Sequence, residues 1–444
     1  MLNQLQTVAD IAGKEYSIQQ ALANMKGQWK DVELVLGEYG ETGTYVLKET
    51  DEIIQLVDDH SVTTQAMSFS AFKKPFEQEI SEWEATLSTM GEVMEEWLLV
   101  QQAWLYLEPI FSSDDIMRQL PTEGKAFRQV DTTWRRMMTT AHRAPHAVVF
   151  CTQTDSKLLQ KLQEANMQLD LVQKGLSDYL ETKRQAFPRF YFLSNDELLE
   201  ILSQTRNPTA VQPFFRSCFE NIREVVFEGD ANQILAMLSL EGERVNLCSD
   251  MFPTGNVEDW MQRMERTMVE TIRDHVNRGF YDYQEKERTA WVRSWPAQVV
   301  LAVSQTYFAL EVEECLLSTQ GQGLPDLYDR LGEQLKALTN MVREGLTKLE
   351  SKTLSALLTL DVHGRDVVQR LIDAGVSHPG DFEWMSQLRY VFQPATAQEK
   401  SEVIVKQVQT VWTYGNEYLG NTSRLVITPL TDRIYMTLTG AIHM

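Results

Sequence analysis

The chain has 444 residues, and 41 Lys or Arg against 63 Asp or Glu give it a formal net charge of −22. This acidic balance argues against nucleic acid as a partner, because phosphate binding requires clustered Lys and Arg. Hydrophobic residues make up 43% of the chain, enough for a buried core without disulfides, and the four cysteines are widely spaced with no CxxC pair, which argues against a zinc ribbon and for a reducing compartment.

No segment resembles a membrane span or a signal peptide. The longest apolar runs are far shorter than the roughly 18 residues that a span requires. The N-terminus, MLNQLQTVAD, is polar and lacks the apolar core of a signal peptide. We therefore expect an intracellular protein with no membrane partner.

One long helix dominates the first quarter of the chain. Residues 44–47, next to several glycines, first predict a small hairpin. Between residues 76 and 108, apolar residues then recur at alternating spacings of four and three, which places them on one face of a single helix. At about 1.5 Å per residue, that helix would be roughly 50 Å long. Pro75 suits its first turn, and Pro109 is expected to end it.

Helical periodicity continues through the rest of the chain, with few strand signals. The predicted helices cover residues 158–180, 198–202, 257–276, 299–317, 327–349 with an extension toward 360, and 403–419. The predicted strands are short and cover residues 190–193, 225–227, 238–240 paired with 245–247, and 425–428. No repeat, low-complexity tract or flexible linker divides the chain. The pattern predicts a mainly α, elongated body of consecutive helical bundles with small β-hairpin insertions.

Motifs of catalysis are absent from the sequence. It contains no GxxxxGK[ST] phosphate loop, GxGxxG, GxSxG, HExxH or EF-hand loop. Gly321-Gln322-Gly323 reads as a loop before a helix rather than a phosphate cradle. His142 and His146 have the i, i+4 spacing of a metal pair, but Pro145 interrupts the helix, so we expect a surface turn and no metal site. Residue chemistry alone predicts a rigid, non-catalytic helical body.

Two motifs in the sequence are long and ordered: WLLVQQAWLYLEPIF at residues 97–111 and RLVITPLTDR at residues 424–433. The first resembles a signature of the linker region of dynein heavy chains, and the second resembles the start of the first AAA+ module of that family. The intervening GNVEDW segment at 255–260 and the RLVITPLTDR ending are more similar to ciliary (axonemal) than to cytoplasmic dyneins. Further matching segments lie at residues 45–53, 112–127, 190–199 and 219–222.

The resemblance implies an arched rod that acts as a mechanical lever. Such a linker bends and straightens over the motor's AAA+ ring during the ATP cycle and carries the tail along microtubules, in the cytoplasm and cytoskeleton of the cilium or flagellum axoneme. We expect hinges near residues 253–255 or 321–325. A stand-alone α-helical scaffold or adaptor is the alternative function.

The resemblance also implies how the chain is divided. We expect an N-terminal linker subdomain with a small β element, central helical bundles, C-terminal helical bundles and the start of the first AAA+ module, at residues 1–70, 71–252, 253–420 and 421–444. The chain stops before the phosphate loop, so no catalytic site, metal site or cofactor is expected in this segment, while ATP and Mg belong to the parent motor ATPase. Intermediate chains, light chains and microtubules would bind through regions outside it.

One patch is expected to touch nucleotide. In the family, the loop that leads into the first AAA+ module lies over the adenine. It maps onto Leu425, Val426, Ile427, Thr428, Pro429 and Leu430. The backbone of an extended strand can hydrogen-bond the adenine edge while apolar side chains cover its face.

Overall fold

The chain forms two compact units, Met1–Thr182 and Lys183–Met444. The computed structural model describes residues 2–40, 42–153, 157–203, 207–343, 345–396, 398–421 and 428–443. Within these residues the fold is mainly α with small antiparallel sheets, as the sequence predicts. None of the helices described there has both the length and the apolar character to cross a membrane. The four-part division given above stays a prediction.

The first unit is built around long helices and one hairpin. Strands β1 and β2 pair antiparallel, with Leu36 opposite Leu47, which confirms the predicted hairpin. Short 3₁₀ turns at Trp29–Asp31 and Lys74–Phe76 connect the elements. In chain order the elements are α1 (Leu2–Gln28), β1 (Val35–Glu38), β2 (Tyr45–Lys48), α2 (Asp51–Ser68), α3 (Glu77–Phe111), α4 (Asp114–Gln119), α5 (Pro121–Arg143), α6 (Ala147–Thr152) and α7 (Leu158–Ala186), whose last residues belong to the second unit.

Helix α3 carries the core of the first unit. Its predicted stripe is buried, and Trp97 and Trp104 are fully enclosed. Trp104 stacks on Trp134 of α5, with ring centroids 5.6 Å apart, and its Nε1 donates to Asp131 at 3.0 Å. The helix continues two residues past Pro109, because a missing N–H removes only one hydrogen bond in a last turn. Large aromatic contacts of this kind make a stiff helix pair.

The second unit combines helices with two three-stranded antiparallel sheets, ordered β3-β4-β5 and β6-β7-β8. Its elements after the 3₁₀ helix Pro188–Phe192 are α8 (Asn195–Ser203), α9 (Phe215–Cys218), β3 (Glu224–Glu228), β4 (Gln233–Leu238), β5 (Arg244–Met251), α10 (Val257–Glu285), α11 (Arg288–Ser294), α12 (Ala297–Thr319), α13 (Leu324–Arg343), α14 (Lys348–Asp373), α15 (Phe382–Met385), β6 (Arg389–Gln393), β7 (Glu402–Gln407), β8 (Thr410–Thr413) and α16 (Pro429–His443). Pro208–Phe214 forms a further 3₁₀ helix.

Helix α12 is the centre of this unit. Its N-terminal half is buried on nearly every side, including the apolar run from Val299 to Val303. Further along, Val312 and Leu316 pack with α13 and α14 and with the enclosed Trp384 of α15. Burial of this many apolar side chains supplies the main driving force for folding.

Several sequence predictions for this unit are wrong. Residues 403–419 form β7, β8 and an extended segment rather than a helix. Seven of the eleven residues 403–413 are β-branched, and Gly415 has a φ of +79°. Residues 190–192 lie in the 3₁₀ helix that Pro188 opens, and Leu193 follows it, so the predicted strand is not present. A hairpin does form here, but not with the predicted residues. Strand β4 is Gln233–Leu238, so Val245 pairs with Met237, and Leu238 pairs with Arg244.

The predicted long helix that begins at residue 327 is two helices, α13 and α14. Gly345 has a φ of +89°, which helical residues do not adopt. Thr347 then starts α14 with a capping box: its hydroxyl accepts from Glu350 N, while the Glu350 carboxylate accepts from Thr347 N at 2.9 Å. The apolar spacing continues across the break, which is why periodicity alone joins the two helices.

Gly321, in the turn between α12 and α13, is predicted to tolerate no side chain. Its φ is +85°, and an added Cβ would lie 2.4 Å from the Val376 carbonyl oxygen. Gly242 is the matched control, because its φ of +91° is similar but nothing lies within 4 Å of its Cβ position. We expect Gly242→Ala to lower the free energy of unfolding by about 1–2 kcal/mol, and Gly321→Ala to lower it clearly more. Urea unfolding followed by tryptophan fluorescence measures both, and equal losses would contradict the packing argument.

Candidate functional site

Residues 414–421, with the sequence YGNEYLGN, form an extended stretch that we term the anchor segment. It follows β8 directly, and its first residue continues the sheet, since Tyr414 N donates to Val403 O at 2.9 Å. Gly415, Asn416 and Gly420 have φ values of +79°, +56° and +56°. These left-handed residues turn the chain away from the sheet and toward the helices of the second unit.

Arg189 holds the anchor segment through its charge. Its Nη1 and Nη2 donate to the two carboxylate oxygens of Glu417 at 2.9 and 2.6 Å. Nε donates to Glu265 of α10 at 2.9 Å, and Nη1 also donates to Cys218 O at 3.1 Å. Burial alone would lower the pKa of Arg189, but the hydrogen bonds and charges of Glu417 and Glu265 outweigh it and raise that pKa. A bidentate guanidinium–carboxylate pair fixes orientation as well as distance.

Two amide side chains hold the backbone of the anchor segment. Gln298 of α12 accepts from Leu419 N at 2.8 Å and donates to Glu417 O at 2.7 Å. Asn221, just before β3, donates to Leu419 O at 2.7 Å and accepts from Leu240 N at 3.0 Å. Gln298 and Asn221 are almost fully buried. Side-chain amides therefore satisfy backbone groups here that a helix or sheet would otherwise satisfy.

A buried carboxylate ties the segment to α12. The Tyr418 side chain is completely enclosed, and its hydroxyl donates to Glu243 Oε2 at 2.7 Å. The other oxygen, Glu243 Oε1, accepts from Ala297 N, in the first turn of α12, at 2.8 Å. Burial, together with the charge of Glu241, raises the pKa of Glu243 despite these two hydrogen bonds. Burial and the negative charge of Glu243 likewise raise the pKa of Tyr418.

Both asparagines of the segment are buried, and each has a side-chain partner. Asn416 Nδ2 donates to Glu402 at 3.0 Å, and Asn421 Nδ2 donates to the Thr353 hydroxyl of α14 at 2.8 Å. Gly420 lies so close to Asn221 that an added Cβ would be 2.3 Å from its Nδ2. The segment is thus bound to α12, α14, the 3₁₀ helix Pro188–Phe192 and β7, and to residues just before β3 and β5.

Helix α16 follows, after residues outside the described set. The Thr428 hydroxyl accepts from Thr431 N at 3.3 Å, and Thr428 N donates to the Thr431 hydroxyl at 2.7 Å, so the first turn is capped. The helix touches the β6-β7-β8 sheet through Thr439, whose hydroxyl donates to Gln407 at 3.0 Å. Its outer face carries an exposed apolar stripe of Leu430, Ile434, Leu438 and Ile442.

The predicted adenine-side residues are only partly described. Leu425, Val426 and Ile427 lie outside the described residues. Thr428 caps α16 and is not in a strand, Pro429 is the first residue of α16, and Leu430 is 67% exposed. A contact with adenine stays a prediction for these residues.

The histidine pair and the Gly321–Gly323 loop, which the sequence offers as weak metal and phosphate candidates, have structural contacts. His142 stacks on Tyr45, with ring centroids 4.0 Å apart, and His146 accepts from Val149 N at the start of α6. Across the described ranges, no group of three or more His, Cys, Asp or Glu side chains is arranged to hold a metal ion. Gly321–Gly323 forms the predicted turn before α13.

Sequence reasoning missed the anchor segment, because it assigned most of these residues to a helix. A signal was available: Gly415-Asn416 and Gly420-Asn421 place two turn-forming pairs five residues apart. The partners Arg189, Asn221, Glu243 and Gln298 carry no local signal, since they come from distant parts of the chain.

The raised pKa of Glu243 predicts a pH-dependent stability. The folded chain holds this proton more tightly than the unfolded chain, so the carboxyl group's contribution to stability is complete below its unfolded pKa and is lost as pH rises through the folded pKa. Glu243→Gln has no carboxyl group to titrate and therefore does not lose this stability. The free energy of unfolding of the variant, minus that of the parent chain, should rise as pH rises from the unfolded to the folded pKa of Glu243. Urea unfolding at a series of pH values measures the difference.

Glu241→Gln is the control with the opposite sign. Burial acts to raise the pKa of Glu241, but hydrogen bonds from its own backbone, Ser239 and Asn221, with the charge of Lys352, lower it overall. This variant should therefore lose stability relative to the parent as pH rises through the folded pKa toward the unfolded one. If the stability difference from the parent changed with pH in the same direction for both variants, the opposite pKa shifts of Glu243 and Glu241 would be contradicted.

Comparisons with known proteins identify the family. The family profile described as "Dynein heavy chain, N-terminal region 2" matches residues 1–279. A second profile, "Hydrolytic ATP binding site of dynein motor region", matches residues 414–444 and so begins at the first residue of the anchor segment.

Full-length coverage of the chain supports the same assignment. Dynein axonemal heavy chain 1 of Mus musculus is 50% identical over 443 residues, which cover all of this chain and 10% of that protein. Dynein axonemal heavy chain 12 of Rattus norvegicus is 45% identical, and dynein axonemal heavy chain 3 of Mus musculus is 42% identical; the match covers all of this chain and 14% and 11% of those proteins. The chain thus spans about a tenth of the length of the curated relatives it matches. It belongs to the dynein heavy chain family and is similar to its axonemal members.

Proposed function

We propose that this chain is the mechanical linker of an axonemal dynein heavy chain. It couples the ATP cycle of the AAA+ ring to movement of the tail along microtubules in the ciliary axoneme. The anchor segment carries this proposal. It lies where the match to the hydrolytic ATP-binding region begins. Polar contacts fix it directly to α12 and α14, and Arg189 links it to Glu265 of α10.

A lever has to transmit force without yielding at its joints. Close-packed helices are stiff, because their side chains already fill the space between them. A chain that left these helices through an exposed loop would stretch first at that loop. The Arg189–Glu417 pair and the Gln298 clamp remove this compliance, so a displacement of the ring side is passed to α12 and its neighbours.

In the proposed role, ATP is hydrolysed by other parts of the parent motor. ATP and Mg are bound by the parent motor, and this segment supplies no complete catalytic site. Leu425, Val426, Ile427, Thr428, Pro429 and Leu430 would form the adenine-side loop only with the rest of the ring present. The exposed apolar stripe of α16 supports this view, since a following module would cover such a face.

The partners follow from the same role. The linker works against the AAA+ ring of its own heavy chain, while intermediate chains, light chains and microtubules bind through other regions. Bending takes place at hinges near residues 253–255 or 321–325. Gly255 and Gly321 have φ values of +88° and +85°, so both places already hold backbone conformations outside helix and strand.

Arg189→Ala in a complete heavy-chain motor that contains this segment tests the coupling. The substitution frees the Glu417 carboxylate and the anchor segment, but it leaves the ATP-binding modules unchanged. We expect microtubule-stimulated ATP turnover to be largely kept, while the velocity of microtubule gliding falls several-fold. Gliding and ATPase assays on the same preparation measure both.

Arg223→Ala is the matched control, because Arg223 pairs with Glu224 on the exposed surface. Surface pairs of this kind contribute about 0–1 kcal/mol, so its gliding velocity should remain that of the parent motor. A proportional fall of ATPase and gliding in Arg189→Ala, or gliding at the parent velocity, would contradict the linker proposal.

A further inference from the structure

A groove between α2 and α3 of the first unit remains outside the proposed function. Its volume is about 430 Å³. Val57 and Met94 form its floor and are buried, while Leu98 is half-buried and Leu99 is 45% exposed. The lining residues are Ile54, Val57, Asp58, Gly91, Met94, Glu95, Leu98, Leu99 and Gln102. Exposed apolar surface such as that of Leu99 is unfavourable unless something covers it.

The groove has the dimensions that a helix requires. Its lining on α3 runs from Gly91 to Gln102 at the spacing of one helical face. Eleven residues at about 1.5 Å each give a length of roughly 16 Å, or about three helical turns. Gly91 provides part of the space, because it has no side chain and its Cβ position faces Val57 Cγ1 at 3.6 Å.

The charged residues that line the groove are both acidic. Helix α2 carries four acidic residues and α3 carries eight, and neither contains a Lys or Arg. Glu77, Glu79 and Glu108 of α3 pair with Lys73, Lys26 and Arg135, but none of these pairs lines the groove. Asp58 and Glu95 lie on the groove itself, are exposed, and form no salt bridge with any described residue. On the rim of an apolar groove, such carboxylates favour a cationic occupant.

We propose that the α2–α3 groove binds a basic amphipathic α-helix of a partner polypeptide. Its apolar face, with Leu-type residues at i, i+3, i+4 and i+7, packs on Val57, Met94 and Leu99. Its Lys or Arg side chains flank that face and meet Asp58 and Glu95. This is helix-in-groove recognition, in which the apolar contacts give affinity and the charges give specificity.

Synthetic peptides titrated against the 444-residue chain test this directly. The first probe is a helical peptide with Leu on one face and Lys on the other. The second replaces each Lys with Glu, and the third has the composition of the first in scrambled order. We expect the first to bind more than tenfold more tightly than either control, and to weaken as salt is added. Equal binding of the scrambled peptide would overturn the proposal, because it would show attraction to net charge alone.

Two variants distinguish binding of the peptide in the groove from attraction of a basic peptide to the acidic chain as a whole. Leu99→Glu adds negative charge but removes an apolar groove contact, so the proposal expects at least tenfold weaker binding, whereas charge attraction alone would strengthen it. Val62→Glu makes the same change of charge at an exposed valine of α2 outside the groove, and it should leave the affinity unchanged. Unchanged or tighter binding to Leu99→Glu would overturn the proposal.

Gly91→Leu tests whether binding is lost because the groove is filled rather than because the chain is unfolded. Leucine favours a helix over glycine, so this variant should stay folded by circular dichroism while it fills the groove and abolishes binding. Asp58→Lys should weaken binding more than Asp59→Lys, which changes the charge equally at a neighbouring residue off the groove. Undiminished binding to folded Gly91→Leu would also overturn the proposal.

Discussion

Buried hydrogen bonds from side chains hold the irregular backbone of residues 414–421 in place within the second unit. An extended segment cannot satisfy its own N–H and C=O groups, and leaving them unpaired in a buried place is costly. Gln298 and Asn221 provide the missing backbone partners. Glu243 accepts from the Tyr418 hydroxyl, and Arg189 adds a charge pair with Glu417. Beyond Tyr414, which continues the sheet, the segment is therefore held by side chains rather than by strand pairing. The proposed linker role requires such a firmly held connection.

Apolar packing and directional polar contacts have different roles in this chain. Apolar burial around α3 and α12 stabilises each unit, and aromatic stacks such as Trp104 on Trp134 add contacts of defined geometry. Directional polar contacts hold residues 414–421, where the match to the hydrolytic ATP-binding region begins. The same division appears at the surface, since the acidic α2–α3 pair leaves its apolar groove accessible to a partner of opposite charge.

Long helices could be predicted from the sequence because their signal repeats many times. The stripe from Ile80 to Trp104 is unambiguous, and α3, α7 and α10 follow the prediction. Residues 403–419 could not be assigned from spacing alone, because their apolar positions suit a helix as well as alternating strands. The anchor could not be predicted either, since Arg189 and Glu417 are 228 residues apart in sequence. Only the folded chain shows that these two side chains meet.

Hydrogen exchange at the anchor segment tests the central claim most directly. In the intact 444-residue chain, the amide of Leu419 donates to the buried Gln298 side chain. A peptide covering residues 414–421 should therefore exchange as slowly as one covering residues 297–303 of the buried helix α12. Exchange at the rate of the exposed N-terminal turns of α1 would show that the segment is loose, and it would contradict the account of the junction as a rigid joint.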